Sequence, residues 1–97
     1  MEPTEVAALG TERPQVWPNP TADGTFDIRW TVPMEQEGTI TLDILDLNGR
    51  TLHQERIAVA DGSLQAHITP QQALSSGVYL LRFTTSDTQH MERLVVR

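Results

Sequence analysis

The sequence contains no cysteine and no lysine. Without cysteine, no disulfide framework can support a small core, and thiolate metal sites are excluded. The absence says little about compartment, because a disulfide-free domain folds anywhere. Without lysine there is no Schiff-base chemistry, no P-loop lysine and no lysine–asparagine isopeptide crosslink. All seven cations are arginines, at positions 13, 29, 50, 56, 82, 93 and 97. No uninterrupted apolar run exceeds four residues, as at Val78-Tyr79-Leu80-Leu81. No transmembrane helix can be assembled from such runs, and no membrane insertion is expected. The first residues, Met1-Glu2-Pro3-Thr4-Glu5, are acidic and lack the apolar stretch of a signal peptide. The expectation is a cytoplasmic protein, or a piece of a longer chain whose export signal lies elsewhere.

What is present is one small acidic domain. A chain of 97 residues with a formal net charge of −6 falls within one domain. A chain of this size buries about 60–65% of the surface that its unfolded form exposes. That leaves no room for a catalytic domain beside a binding domain. The acidic balance makes nucleic acid and anionic membranes poor partners, because counterion release needs clustered positive charge.

Residues 1–14 read as a flexible linker. They carry Pro3, Gly10 and Pro14 and only a short Val6-Ala7-Ala8-Leu9 apolar patch, which predicts a disordered or extended segment with at most a turn of helix over 5–9. From Gln15 the pattern has period two. Phe26, Ile28, Trp30 and Val32 alternate with Thr25, Asp27, Arg29 and Thr31, which marks a half-buried strand. Ile40, Leu42 and Ile44 continue the pattern, as do Leu64, Ala66 and Ile68, then Tyr79, Leu81 and Phe83, then Leu94 and Val96. Asn48-Gly49 predicts a type I′ hairpin turn, and Asp61-Gly62 a second. A two-residue turn at Asp61-Gly62 pairs Val59 with Leu64 and Ile57 with Ala66. Leu52 then has the wrong parity, which predicts a bulge or register break between Leu52 and Ile57. Pro18 and Pro20 bracket Asn19 and force an extended start to the domain. Residues 71–76 read as a short crossover with one turn of 3₁₀ helix, ended by Gly77. About seven short strands at turn spacings of about 8–12 residues predict an all-β, immunoglobulin-like antiparallel sandwich.

Few constellations carry chemistry. His53, His67 and His90 have no metal-ligand spacing and read as surface residues. The pairs Asp43/Asp46 and Asp23/Asp27 read as solvated faces, since a glycosidase needs a cleft between its two carboxylates. A calcium site from Asp23, Asp27, Asp43 and Asp46 lacks the D-x-D-x-D-G loop. No G-x-S-x-G elbow occurs, and Ser75-Ser76-Gly77 reads as a turn. Trp17, Trp30 and Tyr79 make a sugar platform only if two of them are exposed on one face. Trp30 shares parity with Phe26 and Ile28 and is placed in the core, and Trp17 is placed over one end of the sandwich. No enzymatic activity and no cofactor are expected.

Four motifs remain. Val16-Trp17-Pro18-Asn19-Pro20 opens the domain, Asp46-Leu47-Asn48-Gly49-Arg50 lies mid-chain, Gly77-Val78-Tyr79 begins a late strand, and Arg93-Leu94-Val95-Val96 stands at the end. In that order and spacing, residues 15–97 resemble the C-terminal sorting domain of the type IX (Por) secretion system, type A. That family's pattern is an aromatic-Pro-Asn-Pro opening, an Asp-x-x-Gly-Arg hairpin, a Gly-[Ile/Val]-Tyr strand and a terminal Lys/Arg-[Leu/Ile]-Val-Val. The motif residues carried over are Pro18, Asn19, Pro20, Asp46, Gly49, Arg50, Gly77, Tyr79, Arg93, Leu94, Val95 and Val96. Arg93 stands where the family usually has lysine, which keeps the charge but changes its geometry. Each motif also has a structural reading. Asp46 accepts backbone hydrogen bonds in the hairpin, Arg50 pairs with a carboxylate such as Asp46, and Tyr79 buries its ring while its hydroxyl finds a polar partner.

The resemblance implies a transport address. Such a domain directs an N-terminal cargo in the same chain across the outer membrane and has no catalytic role. Its implied partners are the type IX outer-membrane translocon or shuttle protein and a sortase-like peptidase. Its implied route is the periplasm in transit, then the cell surface or the extracellular space. The signal peptide would belong to the cargo, and Met1 would mark where a piece of a longer chain begins. Cleavage is expected in the linker, within residues 4–13, with Thr4, Ala7, Ala8, Leu9, Gly10 and Thr11 as candidate positions. Recognition is expected through the last strand, residues 91–97, read at a sheet edge. The rival reading is an immunoglobulin-like or carbohydrate-binding accessory or spacer module of an extracellular enzyme, because sandwiches host both roles.

Overall fold

The alternation of apolar and polar residues becomes two sheets closed on one core. The computed structural model describes residues 13–31, 38–86 and 88–97. Val32 and the linker positions 4–11 lie outside the described residues. Seven strands follow one another: β1 (Gln15–Trp17), β2 (Phe26–Thr31), β3 (Gly38–Leu45), β4 (Thr51–Val59), β5 (Ser63–Ile68), β6 (Gly77–Thr84) and β7 (Gln89–Val96). All pairings between these strands are antiparallel. One sheet has the order β1-β2-β5 and the other β4-β3-β6-β7. The protein is therefore the expected all-β sandwich. Phe26, Ile28 and Trp30 face Ile40, Leu42, Ile44, Leu81, Phe83 and Leu94 in a single core. Trp30 packs edge-on to Phe83, ring centres 5.7 Å apart. Full burial of each large side chain contributes about 1.5–3 kcal/mol, which is how a disulfide-free chain of this length holds together.

The partition into three and four strands departs from a constant-type immunoglobulin domain, where the fourth strand joins the sheet of the first two. Here β4 pairs with β3. The cause lies at Asp61-Gly62. Both residues have positive φ, 57° and 77°, and Ala60 and Ser63 exchange backbone hydrogen bonds of 2.9 and 3.1 Å. This is the expected type I′ turn, but the ladder stops after that bridge. Val59 pairs with Gly38 and Ile57 with Ile40, while Leu64 pairs with Trp30 and Ala66 with Ile28. The expected pairs Val59/Leu64 and Ile57/Ala66 do not form. Ile57 and Leu64 are both buried, and splitting the hairpin puts them in facing sheets across the core. A continuous hairpin would set them side by side in one sheet and leave both with less apolar cover.

The other hairpin also differs from expectation. Gly49 has φ 87°, whereas Asn48 has no positive φ, so the turn is not type I′. Gly49 N–H donates to the Asp46 carbonyl at 3.0 Å, and Asp46 N–H to the Arg50 carbonyl at 3.0 Å. This is a three-residue loop closed by a left-handed glycine. The predicted bulge is present, at Leu52. Leu45 pairs with Thr51 and Ile44 with His53, which leaves Leu52 as the extra residue. The insertion restores Ile57 to a position opposite Ile40. Residues 71–76 form bends without a 3₁₀ turn.

Three polar residues read as surface groups are partly or wholly inside. His53 is 7% exposed. Gln71 N–H donates to its Nδ1 at 3.2 Å, so the proton sits on Nε2, which bonds Glu55 Oε1 at 3.0 Å. The loop over residues 71–76 covers it, a tertiary contact that strand parity does not reveal. His90 is half-buried and leans on Trp30, ring centres 4.7 Å apart. Asp43 is 2% exposed, although it faces away from the core. Arg82 grips its Oδ2 through Nε and Nη2 at 3.2 and 3.1 Å, and Gln54 Nε2 donates to its Oδ1 at 2.7 Å. Neighbouring strands supply the cover. His67 is exposed as expected and bonds Asp27 at 2.9 Å.

Gly49 offers a clean test of the hairpin. A Cβ built there meets nothing within 4 Å, so Gly49→Ala acts through backbone strain alone, about 1–2 kcal/mol. Thermal denaturation should show a fall of roughly 4–8 °C per kcal/mol in a domain of this size, with no change in core packing.

Candidate functional site

Strand register gathers the four motifs at one end of the four-stranded sheet. Leu45, just before Asp46, pairs with Leu80. Gly77 pairs with Val96, Tyr79 with Leu94 and Leu80 with Arg93. The Pro18-Asn19-Pro20 segment lies along the outer side of β7 at the same end. Both X–Pro bonds there are cis.

Asn19 substitutes for a strand. Its Nδ2 donates to the Arg93 carbonyl at 2.7 Å, and its Oδ1 accepts from Val95 N–H at 3.0 Å. Its amide carries a donor and an acceptor side by side, like a peptide group, and so satisfies an unpaired strand edge. Thr21 continues the cover with its backbone. Its N–H donates to the Val95 carbonyl at 2.9 Å, and its carbonyl accepts from Arg97 N–H at 2.9 Å, closing a parallel bridge to Val96. Thr21 is fully buried, and its hydroxyl donates to the Thr25 carbonyl at 2.8 Å and accepts from Gly24 N–H at 3.2 Å. Thr21 was not among the residues singled out from sequence. The Asp23-Gly24 turn that follows it was the available signal.

The other motifs also build structure. Asp46 Oδ1 accepts from Asn48 N–H at 2.8 Å and Arg50 N–H at 2.9 Å, and the Arg50 guanidinium Nε donates to Oδ2 at 2.8 Å. Both roles expected for Asp46 and Arg50 are present. Gly77 has φ +154°, a region that essentially only glycine adopts, and it delivers the chain into β6. Tyr79 is 7% exposed, and its hydroxyl donates to the Ser75 carbonyl at 2.6 Å. A tyrosine at the start of this strand, tied to backbone just upstream, is the tyrosine corner of immunoglobulin-like sandwiches. Leu94 and Val96 point into the core, Val95 is half-buried and Arg93 is exposed. Pro18, Asn19, Pro20, Gly49 and Arg50 are exposed.

The expectation that the last strand offers a free edge needs correction. Strand β7 is an edge strand, but Asn19 and Thr21 occupy its outward groups from the Arg93 carbonyl to Arg97 N–H. Trp17 does not cover an end of the sandwich either. It faces outward on β1, 44% exposed, beside Asp27, Arg29, Gln65 and His67 in an open depression of about 320 Å³. Trp30 and Tyr79 are both buried, so the two exposed aromatics that a sugar platform requires are not there. Asp23, Asp27, Asp43 and Asp46 are engaged separately, by Thr25, His67, Arg82 and Arg50 in turn. No group of three or more potential metal-ligating side chains occurs among the described residues, and no helix among them could cross a membrane.

The arrangement is a set of closures around one sheet end. Residues 15–97 match the family model described as the secretion system C-terminal sorting domain. The chain belongs to that family. The domain is a C-terminal sorting signal for type IX secretion. It implies an N-terminal cargo and the type IX machinery in general, with secretion to the cell surface or extracellular space. The family is a sorting signal and not a catalytic one, and the accessory-module reading finds no support. A comparison with curated proteins finds no match.

Two predictions concern the sorting domain's motif contacts. Asn19→Ala removes both bonds to β7 and should cost about 1–2 kcal/mol, read by urea denaturation, with faster hydrogen exchange at Val95. The second concerns acid. Hydrogen bonds from Arg50 N–H, then the Arg50 guanidinium and Asn48 N–H, hold the Asp46 carboxyl below its ordinary 3.8. Those from Thr25 do the same for Asp23. A lowered folded value stabilises the fold above the ordinary value, and the contribution disappears as pH falls through the lowered one. Stability should therefore decline as pH falls below 3.8, and Asp46→Asn should make that decline shallower in a pH series of melts.

Proposed function

We propose that the type IX outer-membrane translocon, or a shuttle protein serving it, reads this domain in its folded state after periplasmic transit, and that a sortase-like peptidase then cuts the linker within residues 4–13. Thr4, Ala7, Ala8, Leu9, Gly10 and Thr11 are the proposed cleavage positions, and residues 1–14 the segment joining cargo to domain. The observation that carries this reading is the pairing of Asn19 and Thr21 with β7. The opening and closing motifs bond each other across the whole domain. A linear tail signal would have no use for that contact, and a folded address requires it. Asp46, Arg50, Gly77 and Tyr79 support the same view, since each builds a turn or a corner.

The test separates a folded address from a linear one. Residues 1–97 are fused behind a periplasmic reporter in a host with this secretion system. Phe83 is wholly buried and remote in sequence from the terminal motif, so Phe83→Ala should cost about 3–5 kcal/mol and leave that motif unchanged. Export should fall at least tenfold with Phe83→Ala. Undiminished export of a chain shown to be unfolded by circular dichroism contradicts the proposal. Mass spectrometry of the released reporter should place the cut within residues 4–13, and a cut inside residues 20–90 contradicts that part.

A further inference from the structure

The cover on β7 is incomplete, and the open part has a defined chemistry. Outward backbone groups in an edge strand alternate with those bonded to the neighbouring strand. The bonds from Asn19 and Thr21 identify Arg93, Val95 and Arg97 as the outward residues. By the same alternation, the backbone of Gln89 and Met91 and the N–H of Arg93 also point outward. Among the described residues, β6 is the one strand that pairs with β7, and the cover by Asn19 begins at the Arg93 carbonyl. The two halves of the edge therefore differ: residues 93–97 are sealed, and among the described residues none bonds the outward groups of residues 89–93.

The open half has neighbours that suit a partner. Met91 is 47% exposed and pairs across the sheet with Arg82, while the half-buried Leu80 pairs with Arg93 on the same outer face. Arg93 is exposed, and no ion pair engages it among the described residues. Arg13, ahead of β1, also reaches this strand. Arg13 donates from Nε and Nη2 to the Glu92 carboxylate, both at 3.1 Å. The opposite edge, β4, lacks this apolar margin and presents Gln54, Arg56 and Ala58 on its outer face.

We infer that residues 89–93 are a docking edge for an extended segment of a type IX machinery protein, which adds to the four-stranded sheet as a fifth strand. That segment carries an apolar side chain to lie on Met91 and an acidic one to meet Arg93. Backbone pairing supplies the affinity, and the Met91 and Arg93 neighbours supply the selectivity. The Arg13–Glu92 clasp ties the start of the described chain to the same strand. This inference rests on the sorting reading above.

Met91→Pro tests it in the reporter fusion. The Met91 N–H points outward, so proline removes it without breaking a bond to β6, as edge strands tolerate. A variant that melts like the parent should be exported at least tenfold less. Arg56→Glu, on the opposite edge, should stay within twofold of the parent. If Met91→Pro does not fold, the pair Met91→Asp with Arg93→Glu, which alters only exposed side chains, takes its place with the same expected loss. Export of a folded edge variant within twofold of the parent overturns the inference. So does a loss in Arg56→Glu equal to that in the edge variant. Failure of the unmodified fusion to be exported would instead sink the sorting reading itself.

Discussion

The domain depends on a contact between its two ends. Asn19 presents an amide to the outer side of the last strand, and Thr21 adds its own backbone, at a sequence separation of 74 to 76 residues. Among the described residues the two sheets have four edge strands, and without these bonds β7 would stand open along residues 93–97 as well. The Asn19 and Thr21 bonds staple those sheets together. The opposite flank is closed by the Asp61-Gly62 turn, which sends β4 into one sheet and β5 into the other. With no disulfide available, these two closures keep the facing layers in register over the core.

This explains how residues that build turns, a corner and an edge seal come to mark a transport signal. Asp46 organises a turn, Gly77 admits a backbone angle other residues avoid, Tyr79 anchors a corner, and Asn19 seals an edge. Asp46, Tyr79 and Asn19 all bond backbone groups inside the domain. The docking edge we infer lies beside them, where the seal stops and Met91 and Arg93 are exposed.

Much of the fold was legible in the residues. The alternation through Phe26, Ile28 and Trp30, and through Tyr79, Leu81 and Phe83, reports side-chain direction directly, because a strand repeats every two residues. The Leu52 parity error announced the bulge for the same reason. The burial of Asp43 was not legible, because its cover comes from Arg82, 39 residues away. His53 was misread because a loop packs on it. The candidate site was legible as motifs, but the convergence of those motifs on one sheet end was not. Nor was the Arg13–Glu92 clasp, since charges 79 residues apart leave no local pattern.

The sequence by itself determined the strand content, the turn at Asp61-Gly62, the core membership of Trp30 and, through four motifs in order, the family. These are local properties, set by period, backbone preference and residue type. Only the tertiary structure decided that β4 joins β3, that the Asp61-Gly62 turn switches sheets, and that Asn19 and Thr21 seal the last strand over residues 93–97. Those outcomes depend on which distant groups satisfy each other's hydrogen bonds, and an edge is open or closed only in relation to what lies beside it.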